Sequence, residues 1–207
     1  MEDILDLYHL PPNPRRPLVC MDEVCVQFLA HLDEPLPTLP GSVAKEDYEY
    51  IRNGSGSVFL AIAPHEGIRF TYVSEGATRT ACDYAEFLRQ ISEAFPEAEE
   101  IVLVQDNLNT HSPSSLYKAF PPDLARALAI RIDSHFTPPH GSWLNVAEAE
   151  ISVLSRQCLA RRISGEHELR DEVKAWTDRR NQSANKTNWQ FTTDDARIKL
   201  KSLYPSF

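Results

Sequence analysis

The chain reads as an α/β protein, a mixed sheet flanked by helices, and three observations predict it. Ile101 to Val104 is apolar at every position, so it belongs to a central strand covered on both faces. Leu18 to Leu29 instead alternates, with Leu18, Cys20, Val24, Val26 and Phe28 on one face of a half-buried strand. Between them, Thr80 to Phe95 spaces Tyr84, Phe87, Leu88 and Ile91 as one stripe of a helix that Pro96 closes. With 207 residues, the chain is long enough for one substantial domain that buries roughly 70% of the surface of its unfolded form.

The elements follow in order. Residues 1–17 end in P-P-N-P-R-R-P, which suits neither a helix nor a central strand and reads as a connector. After the strand from Leu18, a proline-rich loop from Pro35 to Gly41 leads to Asn53-Gly54 and Gly56, which mark a turn before the strand Val58 to Ala63. Pro64 to Gly67 turns the chain, and Ile68 to Val73 returns as a hairpin partner. The helix from Thr80, the buried strand 101–105, a helical stretch after Pro113 and a short strand near Ile130 to Ser134 come next. From Ser142 the pattern is helical again, with Leu144, Ala147, Ile151, Leu154 and Cys158 as its apolar stripe. Helices over Glu166 to Arg180 and Asp194 to Leu203 complete the chain. Three strands, then alternating helices and strands, fit a ribonuclease-H-like mixed five-stranded sheet with a C-terminal helical extension.

Composition narrows the function. The net charge of −9 argues against gripping nucleic acid by bulk electrostatics. The balance is uneven: residues 1–150 carry 10 basic and 23 acidic side chains, net −13, and residues 151–207 carry 11 and 7, net +4. Arg156, Arg161 and Arg162 concentrate the positive charge, as a solvated helix face or as contacts to a phosphate backbone. Cys20, Cys25, Cys82 and Cys158 form no Cys-x-x-Cys pair, so reduced and mostly buried thiols are expected. No run approaches a membrane span, and M-E-D-I-L-D-L-Y lacks the order of a signal peptide, so a cytoplasmic protein is expected.

Three carboxylates carry the chemistry. Asp22 stands alone among the apolar residues of its strand face, where an acid is costly unless it is paired, hydrogen-bonded or bound to metal. Asp106 follows the buried strand directly, where sites gather in open α/β sheets. Glu148 lies in the first turn of the helix after Ser142. Together they suit hard divalent cations and phosphoryl transfer. Each also has a plain alternative: a salt bridge for Asp22, Asx-turn chemistry for Asp106, and for Glu148 a capping box with Asn145. Glu150 rivals Glu148, projecting about 200° away around the helix. His111, His135 and His140 have no zinc spacing, and Trp143 reads as a core aromatic.

Five segments go further. V-C-M-D-E-V, V-Q-D-N-L-N-T-H, H-F-T-P-P-H-G-S-W-L-N-V-A-E, I-S-V-L-S-R-Q-C-L-A-R-R-I and F-T-T-D-D-A-R-I-K-L-K resemble, in order, segments of DDE transposases in the insertion-sequence 630 branch of the mariner superfamily. The first three of these match the three acidic motifs of that branch. The resemblance implies a ribonuclease-H-like catalytic domain over residues 18–164, extended by 165–207, with residues 1–17 as a linker from an N-terminal DNA-binding region. It implies Asp22, Asp106 and Glu148 as ligands of two Mg²⁺ or Mn²⁺ ions, with Glu150 a bystander and Asn107, His111, His140 and Asn145 in support. Two departures stand out: Val146 where many relatives have Pro, and 41 residues between Asp106 and Glu148, more than is usual in the superfamily. The implied activity is cleavage of element ends and transfer of the strand to target DNA. Its partners would be double-stranded DNA and a second copy or a DNA-binding subunit, on the nucleoid when bound. A non-catalytic relic, or a regulatory partner of an intact transposase, is the competing reading.

Overall fold

The computed structural model describes residues 1–33, 37–43, 48–74, 76 and 78–204. Five strands form one sheet in the order β3-β2-β1-β4-β5. They are β1 (Leu18–His31), β2 (Tyr50–Ala63), β3 (Ile68–Val73), β4 (Ile101–Gln105) and β5 (Ile132–Phe136). β1, β2 and β3 pair antiparallel, while β4 pairs parallel to β1 and to β5. This is the ribonuclease-H-like mixed sheet expected, and the parallel pairs need the crossovers that the helices between β3 and β5 supply.

The alternation in β1 divides the interior into two cores. Leu18, Cys20, Val26 and Phe28 face one side together with Leu60, Ile62, Val102 and Val104, and Val19 and Met21 face the other with Phe59, Ala61, Ile101 and Leu103. On the second side lie α2 (Ala81–Ala94), α3 (Pro113–Ala119) and α4 (Pro122–Arg131). Tyr84, Phe87, Leu88 and Ile91 of α2 are all buried there, as their spacing requires. Thr80 and Asp83 close α2 with a capping box.

The first side is covered by α1 (Glu2–His9), α5 (Val146–Leu154), α6 (Glu166–Ser183) and α7 (Thr193–Lys199). The helical α1 is a departure from the connector expected over residues 1–17. Ile4, Leu5, Leu7 and Tyr8 are buried in the core shared with β1, and Glu2 pairs with Arg197 of α7 at 2.8 Å. Acids alternating with apolar residues left two periods open, and docking against β1 and α7 selects the helical one. Only the proline-rich part from Leu10 onward is irregular.

The expected turn at Asn53-Gly54 is also absent. β2 runs through it and pairs with the far end of β1, from Gln27↔Ser55 to His31↔Tyr50, across an irregularity between Gln27 and Leu29. Gly54, at φ +91°, supplies the local twist of a bulge without ending the strand. Gly56 is small for a packing reason: a Cβ there would lie 2.8 Å from Cζ of Phe28. The helical stretch after Pro113 is two helices, because Pro121-Pro122 restarts it. β5 lies two residues later than expected. The C-terminal helix is α7 followed by a single 3₁₀ turn, Lys201–Leu203. Among the described residues, no helix is long and apolar enough to cross a membrane.

Candidate active site

β1 and β4 carry the two aspartates to one place. The parallel register pairs Leu18 with Val102 and Cys20 with Val104. Just past the end of β4, Asp106 comes near enough to Asp22 for its charge to act on that carboxylate. Asp22 lies within β1 and Asp106 just beyond β4, at the carboxyl end where the sheet opens.

The segment after β5 brings in the third acid. It is not one helix from Ser142: a 3₁₀ turn, Ser142–Leu144, precedes α5, and a π-type turn, Ser155–Leu159, follows it. Asn145 caps α5 by accepting from Ala147 N at 3.1 Å. Its side-chain amide donates to the carbonyl of Met21 at 2.7 Å and reaches Asp22 Oδ2 at 3.5 Å. Tyr8 fixes the same segment by donating to Leu144 O at 2.6 Å and accepting from Val146 N at 3.3 Å. Helix α5 is thereby pinned by its first residues against β1 beside Asp22, and Glu148 sits in its first turn.

The capping box expected as the alternative for Glu148 does not form. The Asn145 N–H is already given to Ser142 O at 2.7 Å, so a Glu148 carboxylate folded back onto it would find no donor. Glu148 is half-buried, and among the described residues its carboxylate has neither a hydrogen bond nor an ion pair. Glu150 differs completely. It is buried and ion-paired with Arg69 at 3.1 Å and Arg180 at 2.8 Å, all of its charge committed to the interior.

Asp22 shows what this environment does to a carboxylate. Burial pushes its pKa up to about 7. The hydrogen bond from Glu23 N opposes that rise, while the charges of Glu148, Glu23 and Asp106 add to it. No cationic side chain pairs with Asp22 among the described residues, so the salt-bridge alternative is not realised. Asp106 makes no Asx-turn hydrogen bond there either, and its buried Oδ1 has His111 Nδ1 as its close polar neighbour, at 2.6 Å. Among the described residues these three carboxylates do not form a group whose oxygens all lie within 4.8 Å of one another, although as hard oxygen donors with few partners of their own they are of the type a divalent cation takes.

The other expected residues divide. His111 is buried, with Nδ1 2.6 Å from Asp106 Oδ1, and joins the site. Asn145 joins it through Asp22. Asn107 and His140 are exposed, and His140 has a left-handed φ of 62°. Arg161 is tied to Glu172, and Arg162 contacts His31 at 3.1 Å and Glu49 O at 3.0 Å. Arg156 is exposed and held by Ser152. Trp143 is not in the core: it is 43% exposed, with its ring edge against Phe191 at 5.9 Å. Of the four thiols, Cys20 and Cys158 are buried but Cys25 and Cys82 are exposed, all four without disulfides.

Sequence reasoning missed Glu23. Its side chain is 2% exposed, pairs with Arg79 at 3.1 Å and lies 3.4 Å from His111 Nε2. Among the described residues, Glu23, Asp106 and His111 form the one group of three such ligand types whose donor atoms all lie within 4.8 Å of one another. The signal was present: Glu23 shares the opposite β1 face with Val19 and Met21, as isolated there as Asp22 is on its own face.

A mixed sheet with one acid inside β1 and another just past the carboxyl end of β4 has the layout of a ribonuclease-H-like fold. The chain belongs to the DDE superfamily endonucleases, whose family model matches residues 17–170. Solved structures with low similarity include a simian T-cell lymphotropic virus intasome in complex with PP2A regulatory subunit B56 gamma, at 12% identity and TM-score 0.49 over 80% of this chain and 50% of that one. The Mos1 mariner paired end complex with Mn is 15% identical, with TM-score 0.40, over 90% of this chain and 60% of that one. The catalytic core domain of BIV integrase is 14% identical, with TM-score 0.42, over 89% of this chain and 94% of that one. The chain thus spans half to three-fifths of the first two. No curated protein matches it.

Proposed function

We propose that this chain is the catalytic domain of a DNA transposase of the insertion-sequence 630 branch, acting on double-stranded DNA at element ends and target. Asp22, Asp106 and Glu148 hold a pair of Mg²⁺ or Mn²⁺ ions in this reading. Bound there, such ions activate the attacking oxygen and stabilise the leaving oxygen of a phosphodiester. The observation that carries the reading is the uncompensated state of Asp22, whose pKa burial raises to about 7 next to Glu148 and Asp106.

The chain's own groups prepare this centre. Asn145 fixes the Asp22 side chain and the start of α5 with one amide, so the first-motif and third-motif acids are referenced to the same strand. Glu150, engaged by Arg69 and Arg180, anchors α5 to β3 and α6 and leaves Glu148 unpaired. Arg156, beyond the site on the exposed face, contacts the phosphate backbone. Pairing with a second copy or with a DNA-binding subunit supplies recognition of element ends, in the cytoplasm and on the nucleoid.

The test is Mn²⁺-dependent nicking of a supercoiled plasmid by the purified chain beside Asp106→Ala. Nicking by the wild type alone is expected. Equal activity of the two would assign the cleavage to a contaminant, and Mn²⁺ binding without any cleavage would favour a non-catalytic relic or regulatory partner.

A further inference from the structure

We propose that Glu23 and His111 form a buried prop that fixes the orientation of Asp106, with His111 the positioning residue and Glu23 its support. The proposal rests on the reading of Asp106 as a metal ligand and adds two residues to that site. Asp106 stands past the end of β4, in a loop where a carboxylate would otherwise turn freely. Five residues on, His111 returns with Nδ1 2.6 Å from Asp106 Oδ1 and 3.2 Å from the Asp106 carbonyl oxygen.

The ring itself is held from several sides. Tyr84 of α2 stacks on it at 4.7 Å and 24°, and the Tyr84 hydroxyl donates to Gln105 Oε1 at 3.0 Å. His111 N donates to Leu108 O at 2.9 Å, which closes the loop. On the far side of the ring, Glu23 Oε2 lies 3.4 Å from Nε2, and Arg79 steadies Glu23 at 3.1 Å. Glu23 Oε2 and Asp106 Oδ1 are buried, and each has a ring nitrogen of His111 as its close polar neighbour, Nε2 for Glu23 and Nδ1 for Asp106.

A cation bound among the three is the rival explanation. The shortest contacts set Nδ1 on Asp106 and Nε2 on Glu23, so the ring stands between the two acids instead of presenting one nitrogen to both. An imidazole bridging two acids fits the geometry better. Its consequence is specific: with Oδ1 engaged by the ring, Asp106 offers Oδ2 outward. Groups that orient metal-ligating side chains in this way typically change metal affinity by about 10- to 100-fold when removed.

Two readouts test the prop. In the first, Mn²⁺ binding followed by the free-ion EPR signal compares wild type with His111→Ala, His111→Asn and Glu23→Gln, each checked for its fold by circular dichroism. A loss of about 10- to 100-fold is expected for His111→Ala and a smaller one for Glu23→Gln. Partial recovery is expected in His111→Asn, whose amide nitrogen sits near the position of Nδ1. Unchanged affinity in all three folded variants would overturn the proposal. The second needs no metal: in the ¹⁵N-histidine spectrum of the metal-free chain, a His111 ring proton protected from solvent exchange is expected, shifted by Asp106→Asn and by Glu23→Gln. A ring proton exchanging freely in the wild type would overturn the prop even if Mn²⁺ binds. A protected proton in a chain that binds no Mn²⁺ would uphold the prop and remove the metal reading instead.

Discussion

The Asn145 amide donates to the Met21 carbonyl at 2.7 Å and stands 3.5 Å from Asp22 Oδ2, so one side chain joins the cap of α5 to the middle of β1. Residues 123 positions apart in the chain share a hydrogen-bonded corner, and Glu148 is placed by the helix that begins there. Replacing Asn145 with Ala removes the cap and the tether together. The expected cost is about 1–2 kcal/mol of stability, with weakened Mn²⁺ binding. Urea unfolding and Mn²⁺ titration of the same sample check both halves.

Asp22 makes the metal-free protein sensitive to alkali. Its folded pKa, about 7, is raised above the ordinary 3.8. The unfolded chain therefore loses this proton first, and stability falls as pH rises from about 4 to about 7. Asp22→Asn is expected to flatten that fall. Discounted for the part of the carboxylate still open to solvent, the gain at pH 8 is about 1–2 kcal/mol. Melting temperatures across that range, in chelator, measure it, and the same variant should lose Mn²⁺ binding.

His111 acts in a higher window. Burial alone would lower its pKa, but the contacts with Asp106 and Glu23 outweigh burial and raise it to about 9. A raised histidine contributes stability that is complete below about 6.5 and lost as pH climbs through about 9. In His111→Gln, the slope of stability between those values should be shallower than in the wild type.

Much of this was legible in the sequence because burial imposed a period. The faces of β1, the apolar β4 and the stripe of α2 each follow from side-chain alternation or helical spacing, and Asp22 stood out as an acid on an apolar face. What stayed hidden depended on partners distant in the chain. Helix α1 is selected by contacts with β1 and α7. β2 crosses Asn53-Gly54 because β1 continues beside it. Glu23 matters only because His111 arrives opposite it, and the distinction between Glu148 and Glu150 needs Arg69 and Arg180, on β3 and α6.

That distinction gives a sharp pair of variants. Glu150→Ala strands Arg69, buried with its partner gone, and is expected to destabilise the protein by about 3–5 kcal/mol. Glu148→Ala removes a carboxylate without a described partner, so its stability should stay within about 0.5 kcal/mol of the wild type while nicking is lost. Chemical denaturation separates the two, and the opposite ranking would mean that the helix faces have been exchanged.

Gly67 tests the packing of β3 against the end of α6. It has φ +74°, and an added Cβ would lie 2.4 Å from the Ala184 carbonyl oxygen. Gly67→Ala should cost about 1–3 kcal/mol, visible as a lowered melting temperature with an unchanged Mn²⁺ affinity per folded molecule.

The central claim is that three acids remote in sequence hold divalent ions together. Anomalous diffraction from crystals grown with Mn²⁺ measures this directly. The account predicts manganese peaks within coordination distance of Asp22, Asp106 and Glu148. Peaks ligated elsewhere, with any of these three carboxylates turned away from the metal, would contradict it.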